Sequence, residues 1–328
     1  MNAHTVSTPS VEHELESWLA KAPFALFAQV MGLAGLAIAW RKAAEAFGTP
    51  AVIGEAIYAL AALIFIIVFA VHVARAIRYP QLPVADFRHP VDSNFVPAFT
   101  IALVLMAAGL APYSLEGARI IWIVAAILHL IFAFLILRRW FTERKEMKIA
   151  SPAWFIPVVG NILMPVIGVP LGFTIAGWFL FSVGFVFWIV LAPIITQRIF
   201  FEEALPERAL PSLFILLAPP AIGGLAMLAL NDGQPTVFTH VMLGFGAFIA
   251  LMLASMLRAI FHTHFAVGWW ALTFPSAGFA SLSLSYAMLR PEPIFTIMGW
   301  AALIGASLIV LTVGARTAVA LAKGELIG

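Results

Sequence analysis

Nine stretches of this chain contain no Asp, Glu, Lys or Arg, and they divide it almost end to end: 22–40, 56–74, 93–115, 120–137, 149–197, 209–231, 233–257, 259–289 and 293–315. About twenty apolar residues in a helix cross a hydrocarbon layer about 30 Å thick, so each stretch suffices for one crossing. The stretch 149–197 suffices for two, joined near Gly168-Val169-Pro170. Backbone in lipid must satisfy its own hydrogen bonds, and continuous apolar runs of this length do so as helices. The expected fold is therefore an all-α integral membrane protein with ten transmembrane helices arranged as five helical hairpins. Composition agrees, with 63% hydrophobic and 10% charged residues against roughly 25% charged in soluble domains, and a mean hydropathy of +1.03.

Ten crossings place both ends on one side of the membrane. Arg41, Lys42, Arg119 and Arg290 fall on the other side, and the remaining 14 of the 18 lysines and arginines fall on the side of the termini. The positive-inside rule makes that side cytoplasmic. The expected division is a cytoplasmic segment 1–21, a membrane domain 22–322 and a cytoplasmic tail 323–328. Residues 1–21 are polar, with Glu12, Glu14 and Glu16, and lack the basic start of a cleavable signal, so the first span is expected to be permanent. Ser10 to Glu14 reads as the start of a short amphipathic surface helix. A formal charge of +2 carries no argument for nucleic acid, and the absence of cysteine excludes disulfides, thiol catalysis and thiolate metal sites.

Helix breakers concentrate in the odd spans: Gly32 and Gly35 in the first, Gly109 in the third, Pro157, Gly160 and Pro165 in the fifth, Pro219, Pro220, Gly223 and Gly224 in the seventh, Pro275 and Gly278 in the ninth. Odd spans also begin with aromatics: Phe24 and Phe27, Phe95 and Phe99, Trp154 and Phe155, Phe214, Trp269 and Trp270. The alternation suggests a quasi-repeat in which each hairpin supplies one kinked inner helix and one straighter outer helix. The expected kinks are Gly32, Gly109, Pro157, Gly160, Pro219, Pro220, Pro275 and Gly278. Proline and glycine are frequent in membrane helices generally and small residues allow close packing, so the argument rests on the alternation rather than on any one helix.

The ninth span is the sharpest case. Phe265 to Leu289 is charge-free and interrupted by Phe274-Pro275-Ser276-Ala277-Gly278. Pro275 has no amide hydrogen for the Ala271 carbonyl, and irregular backbone at membrane depth is tolerated only within protein or beside a watery cavity. This span is expected to line a central pore, with Phe274 pointing into it as a gate. Phe27, Phe99, Phe155, Phe214, Thr273 and Ser276 are the other expected pore-lining residues. Packing remains the default for any one of 28 phenylalanines. No charged side chain is expected within an odd span, so anion preference would come from the ends of broken helices, from the hydroxyls of Thr100, Thr273 and Ser276, and from the basic cytoplasmic mouth.

The stretches PFALFAQVMGLAGLAIAW, FRHPVDSNFVPAFT, SPAWFIPVVGN, LLAPPAIGG and GWWALTFPSAGFA resemble the tellurite-resistance/dicarboxylate transporter family, which includes the bacterial TehA proteins and the plant guard-cell slow anion channels. The likeness runs from about Ala22 to Ala322. It implies five hairpins about a pore, a homotrimer with one pore per subunit, an inner-helix phenylalanine gate matching Phe274, small inorganic or organic anions as cargo, and a bacterial inner-membrane location. The long soluble tails of the plant relatives are missing, so gating by phosphorylation of such tails is not expected.

The rival reading is a proton-coupled transporter of a C4-dicarboxylate, sulfite or tellurite-like oxyanion, which needs a titratable group at mid-membrane depth. His129 is the candidate well inside a span, against a plain interhelical hydrogen bond. Glu55, His72 and His240 lie near span ends. Asn161 either lines the pore or bonds a carbonyl near Pro157. An enzyme reading finds little: His262 and His264 lack a third ligand nearby, Asp86, Arg88, His89 and Asp92 read as a solvated turn, and Arg138 to Lys148 suits lipid headgroups or a regulatory partner. No cofactor or metal is expected.

Overall fold

The computed structural model describes residues 18–326, and the expected surface helix at Ser10 to Glu14 lies outside them. Among the described residues there is no strand. Eight helices are long and apolar enough to cross a membrane: Phe24–Phe47, Ala51–Arg78, Asp92–Leu110, Leu115–Thr142, Thr174–Phe201, Glu207–Leu230, Val237–His262 and Pro293–Ala322. Two further segments are interrupted. Pro152–Gly168 is short and changes helix type three times, and Val267–Leu272 is a 3-10 helix that passes into the α-helix Thr273–Leu289. In chain order these ten segments are α1 to α10, with Pro152–Gly168 as α5 and Val267 to Leu289 as α9. A two-turn helix, Leu82–Arg88, lies between α2 and α3.

Consecutive segments pack as five hairpins, and the odd members pack in a closed ring, α1 on α3, α3 on α5, α5 on α7, α7 on α9 and α9 back on α1. Burial divides accordingly. In α1, α3 and α7 between 67% and 78% of the apolar window is buried, whereas in the even helices the range is 17% to 33%. Outer helices of 28 residues are about 42 Å long at 1.5 Å per residue, more than a hydrocarbon core requires. Their outer faces carry exposed aliphatic and aromatic side chains such as Ile66, Phe134, Val186 and Leu251.

The five inner segments share a construction that the sequence repeat only hinted at. Each contains 3-10 turns at its N-terminal end, at Phe24–Leu26, Asp92–Asn94, Pro152–Trp154, Glu207–Leu217 and Val267–Leu272, before the α-helix begins. Pro157, Pro219, Pro220 and Pro275 sit in the first turn of those α-segments. There a missing amide hydrogen costs least, because first-turn amides lack an α-helical partner in any case. Gly160 marks a real break, where α5 switches to a 3-10 turn over Gly160–Leu163.

Gly32, Gly109 and Gly278, expected as kinks, lie within continuous α-helix and against neighbouring side chains. A methyl group on Gly109 would stand 1.6 Å from the Tyr58 ring, one on Gly32 2.0 Å from Thr273 Oγ1, and one on Gly278 2.8 Å from Ile222 Cδ1. The expectation of charge-free odd spans also fails at α1. That helix continues through Arg41, Lys42 and Glu45 and ends at Gly48, whose φ of 68° supplies a left-handed cap.

At the end where the inner helices begin, outer-helix arginines tie down the segments that lead into them. Arg75 donates from Nε to the Ala20 carbonyl at 3.0 Å and pairs with Asp86. Arg139 donates to the Phe87 and Arg88 carbonyls, and Arg198 donates to those of Lys148 at 3.2 Å and Glu203 at 2.6 Å. In the last hairpin Trp270 Nε1 donates to Thr317 Oγ1 at 2.9 Å.

Candidate functional site

The ring of inner helices encloses a cavity at each end of its axis. The near cavity, beside the N-terminal ends, measures about 90 Å³ and draws its wall from all five inner segments: Ala28 and Met31, Ala98 and Ile101, Phe155 and Gly160, Ala218 and Pro219, Trp270 and Phe274 among others. Among the described residues no charged side chain lines it. The far cavity, at about 660 Å³, is bounded by the C-terminal halves of the same five segments, including Ile38, Ala108, Ile167, Leu228 and Ser285, and by Arg41, Lys42 and Glu45.

Packed side chains fill the level between them. The half-buried Phe274 ring lies against α1, where a methyl group on Gly35 would stand 3.2 Å from its Cδ2. Beyond it, Ile222 packs on Gly278, and Leu282 packs on Gly224 with 2.8 Å to a methyl placed there. Phe274 thus lines the near cavity and also packs on α1. An ion stripped of water at this constriction would meet rings and aliphatic groups that return none of its hydration energy.

Of the other residues expected on the wall, Phe155 is there and the rest are elsewhere. Phe27 faces outward, with ring centroids 5.2 Å from Phe99, 6.1 Å from Phe65 and 5.0 Å from His72. Phe99 stacks on Phe69 at 5.8 Å and Phe65 at 6.4 Å, and Phe214 is buried while its neighbour Ile215 faces the cavity. On α1 and α3 the wall is made by Ala25, Ala28, Met31, Phe95, Ala98 and Ile101, the three alanines lying one position from Phe24, Phe27 and Phe99.

The hydroxyls expected to favour anions are spent on the backbone. Thr273 donates to the Trp270 carbonyl at 2.7 Å and Ser276 to the Leu272 carbonyl at 2.7 Å, on either side of the 3-10 to α transition. Thr100 donates to the Pro97 carbonyl at 2.7 Å and accepts from His129 Nδ1 at 2.7 Å. His129 is wholly buried between α4 and the inner ring, with Nε2 unpartnered and facing Gly160, where a methyl group would come within 2.8 Å. Asn161 does not line the cavity, because its amide donates to the Val158 carbonyl at 2.8 Å.

At the far end Glu55 holds Arg41 through two 2.8 Å contacts, and His240 Nδ1 donates to the Thr236 carbonyl at 2.7 Å. His72 sits among Phe24 and Phe27, donating to the Val68 carbonyl. His262 is exposed and donates to the Arg258 carbonyl. Among the described residues no three His, Cys, Asp or Glu side chains come together as metal ligands would. The charged lining of the far cavity was missed in the sequence because the first span was ended at its last apolar residue. Gly48 followed by Thr49-Pro50, a helix stop eight residues later, was the available signal.

A closed ring of five parallel inner helices, sheathed by lipid-like outer faces and hollowed at both mouths, defines a polytopic membrane protein organised about one axis per chain. This chain belongs to the SLAC1 voltage-dependent anion channel family, whose model matches residues 21–318. It is 24% identical over 289 residues to the S-type anion channel SLAH3 of Arabidopsis thaliana, covering 86% of this chain and 45% of that protein. Similarity to the tellurite resistance protein TehA homolog of Haemophilus influenzae is 23% identity over 267 residues, 80% of this chain and 81% of that one. The malic acid transport protein of Schizosaccharomyces pombe is 23% identical over 342 residues, covering 88% and 78%. The chain therefore spans less than half the length of the plant channel but most of the other two.

Proposed function

We propose that the chain is an anion channel in which each subunit conducts small anions along the axis of its inner ring, with Phe274 as the gate. The observation that carries this reading is that this ring lines a cavity built by all five inner helices and packs against Gly35 of α1. The inner helices run parallel, so the partial positive ends of their dipoles gather at the near mouth and favour anions over cations there. Neither cavity wall offers a binding pocket shaped to one substrate, so discrimination among small monovalent anions is weak.

A proton-coupled carrier would place a titratable group on the near wall, and among the described residues that wall has none. His129, the buried candidate, is bonded to Thr100 behind the inner ring. The family likeness supports a homotrimer in a bacterial inner membrane. The basic residues at the near end, Arg75, Arg139 and Arg198 among them, support a cytoplasmic near mouth with both termini on that side.

The test is electrical. Phe274→Ala in a planar bilayer raises basal current by an order of magnitude or more, reversing at the anion equilibrium potential without dependence on a pH gradient. An unchanged current from a well-folded variant would assign the ring to packing, and a reversal potential that tracks the proton gradient would assign the protein to coupled transport.

A further inference from the structure

The far cavity differs from the near one in carrying charge, and the three charged side chains on its wall are not equivalent. Arg41 is committed: its guanidinium grips both oxygens of Glu55 at 2.8 Å, lies 4.9 Å over the Tyr58 ring and reaches towards the Gly109 carbonyl at 3.4 Å. Glu45 is exposed at the rim, where water screens it. Lys42 lies on the wall and, among the described residues, makes no hydrogen bond and no ion pair; the charge acting on it is Glu45, one helical turn on.

The setting makes such a cation useful. All five inner helices end at this mouth, so their C-terminal carbonyls give it a partial negative potential that repels anions. With Arg41 neutralised by Glu55, Lys42 is the cationic group on this wall left to offset that potential. We propose that the Lys42 ammonium is an anion-attracting site in the far vestibule, holding a small monovalent anion at the mouth opposite the Phe274 constriction. As a route for permeating ions the site rests on the channel reading, but the local potential it creates does not, and the two can be tested apart.

The chain contains no cysteine, so a single introduced thiol reports on its surroundings. Met288, on the far wall and 42% exposed, is the position to replace. In purified Met288→Cys protein at low ionic strength, the rate of modification by an anionic methanethiosulfonate divided by that of a cationic one is measured with Lys42 intact and in Lys42→Gln and Lys42→Arg. Neutralising one charge on the wall of the same cavity lowers the ratio about tenfold, the charge-keeping Lys42→Arg preserves it, and 1 M salt removes the difference. A ratio unaffected by Lys42→Gln at low salt overturns the site. Conductance of Phe274→Ala at low chloride, compared with Phe274→Ala plus Lys42→Gln, then falls about threefold if the site feeds the pore. Absence of current alongside an intact labelling ratio refutes the channel and leaves the anion site standing. Equal conductances alongside that ratio refute only its part in permeation.

Discussion

At the scale of single residues, most polar groups inside the ring serve the backbone and not the axis. Thr273 and Ser276 bond the Trp270 and Leu272 carbonyls, and Asn161 bonds that of Val158, so each adds a side-chain donor at or beside an irregular turn. Small residues serve close approach. Tyr58 lies across Gly109 and donates to the Met106 carbonyl at 2.6 Å, while Arg41 stacks on its ring. A methyl group on Gly109 would occupy the space of that ring, so Gly109→Ala must eject the tyrosine and break its hydrogen bond. The expected cost is roughly 1–3 kcal/mol, read as a lower midpoint of thermal unfolding in detergent, with anion selectivity unchanged. None of this was legible in the sequence, where Gly109 read as a kink, because the partner that needs the space lies on a different helix.

At the scale of elements, the hairpins are stitched at one end by arginine. Arg198 is 4% exposed and satisfies the carbonyls of Lys148 and Glu203, in the segments that precede α5 and follow α6. Arg198→Met keeps the aliphatic stem but leaves both acceptors without their donor, at a cost of roughly 1–3 kcal/mol for each that stays buried. Faster amide hydrogen exchange over residues 143–151, with little change in α6 itself, is the expected signature. The inner elements depend on a second device, the 3-10 start that places proline in the first α-turn. Sequence position alone suggested that Pro275 interrupts a helix, and the interruption is there. What the structure adds is that the chain enters the membrane domain already in 3-10 form, so the proline begins the α-helix instead of breaking one.

At the scale of the whole molecule, closure of the inner ring separates two mouths from each other and both from the outer face. Glu45 opens on the far mouth, Gly268 on the near one, and Leu251, 73% exposed, lies on the outer face of α8. Cysteines placed singly at these positions in reconstituted vesicles are expected to behave differently. Glu45→Cys reacts with an impermeant thiol reagent from one side only, Gly268→Cys from the opposite side only, and Leu251→Cys with neither, since a lipid-facing thiol is not ionised. Labelling of Glu45→Cys and Gly268→Cys from the same side would contradict the transmembrane axis on which both the channel and the Lys42 site depend.

The all-helical membrane class followed from the amino-acid order, because a backbone in lipid must bond to itself; eight of the ten expected crossings are long apolar helices and the other two are interrupted segments. The inner and outer roles of alternate helices followed from the same order, since breakers and small residues accumulate where helices pack on helices. Which face of each inner helix looks to the axis was decided only by packing. On helices apolar all round, periodicity carries no signal, and so Phe27, Phe99 and Phe214 turned away from the cavity while Phe155 and Phe274 turned towards it. The charge at the far mouth was decided there as well. Only the fold pairs Arg41 with Glu55 across two helices and leaves Lys42 facing the cavity.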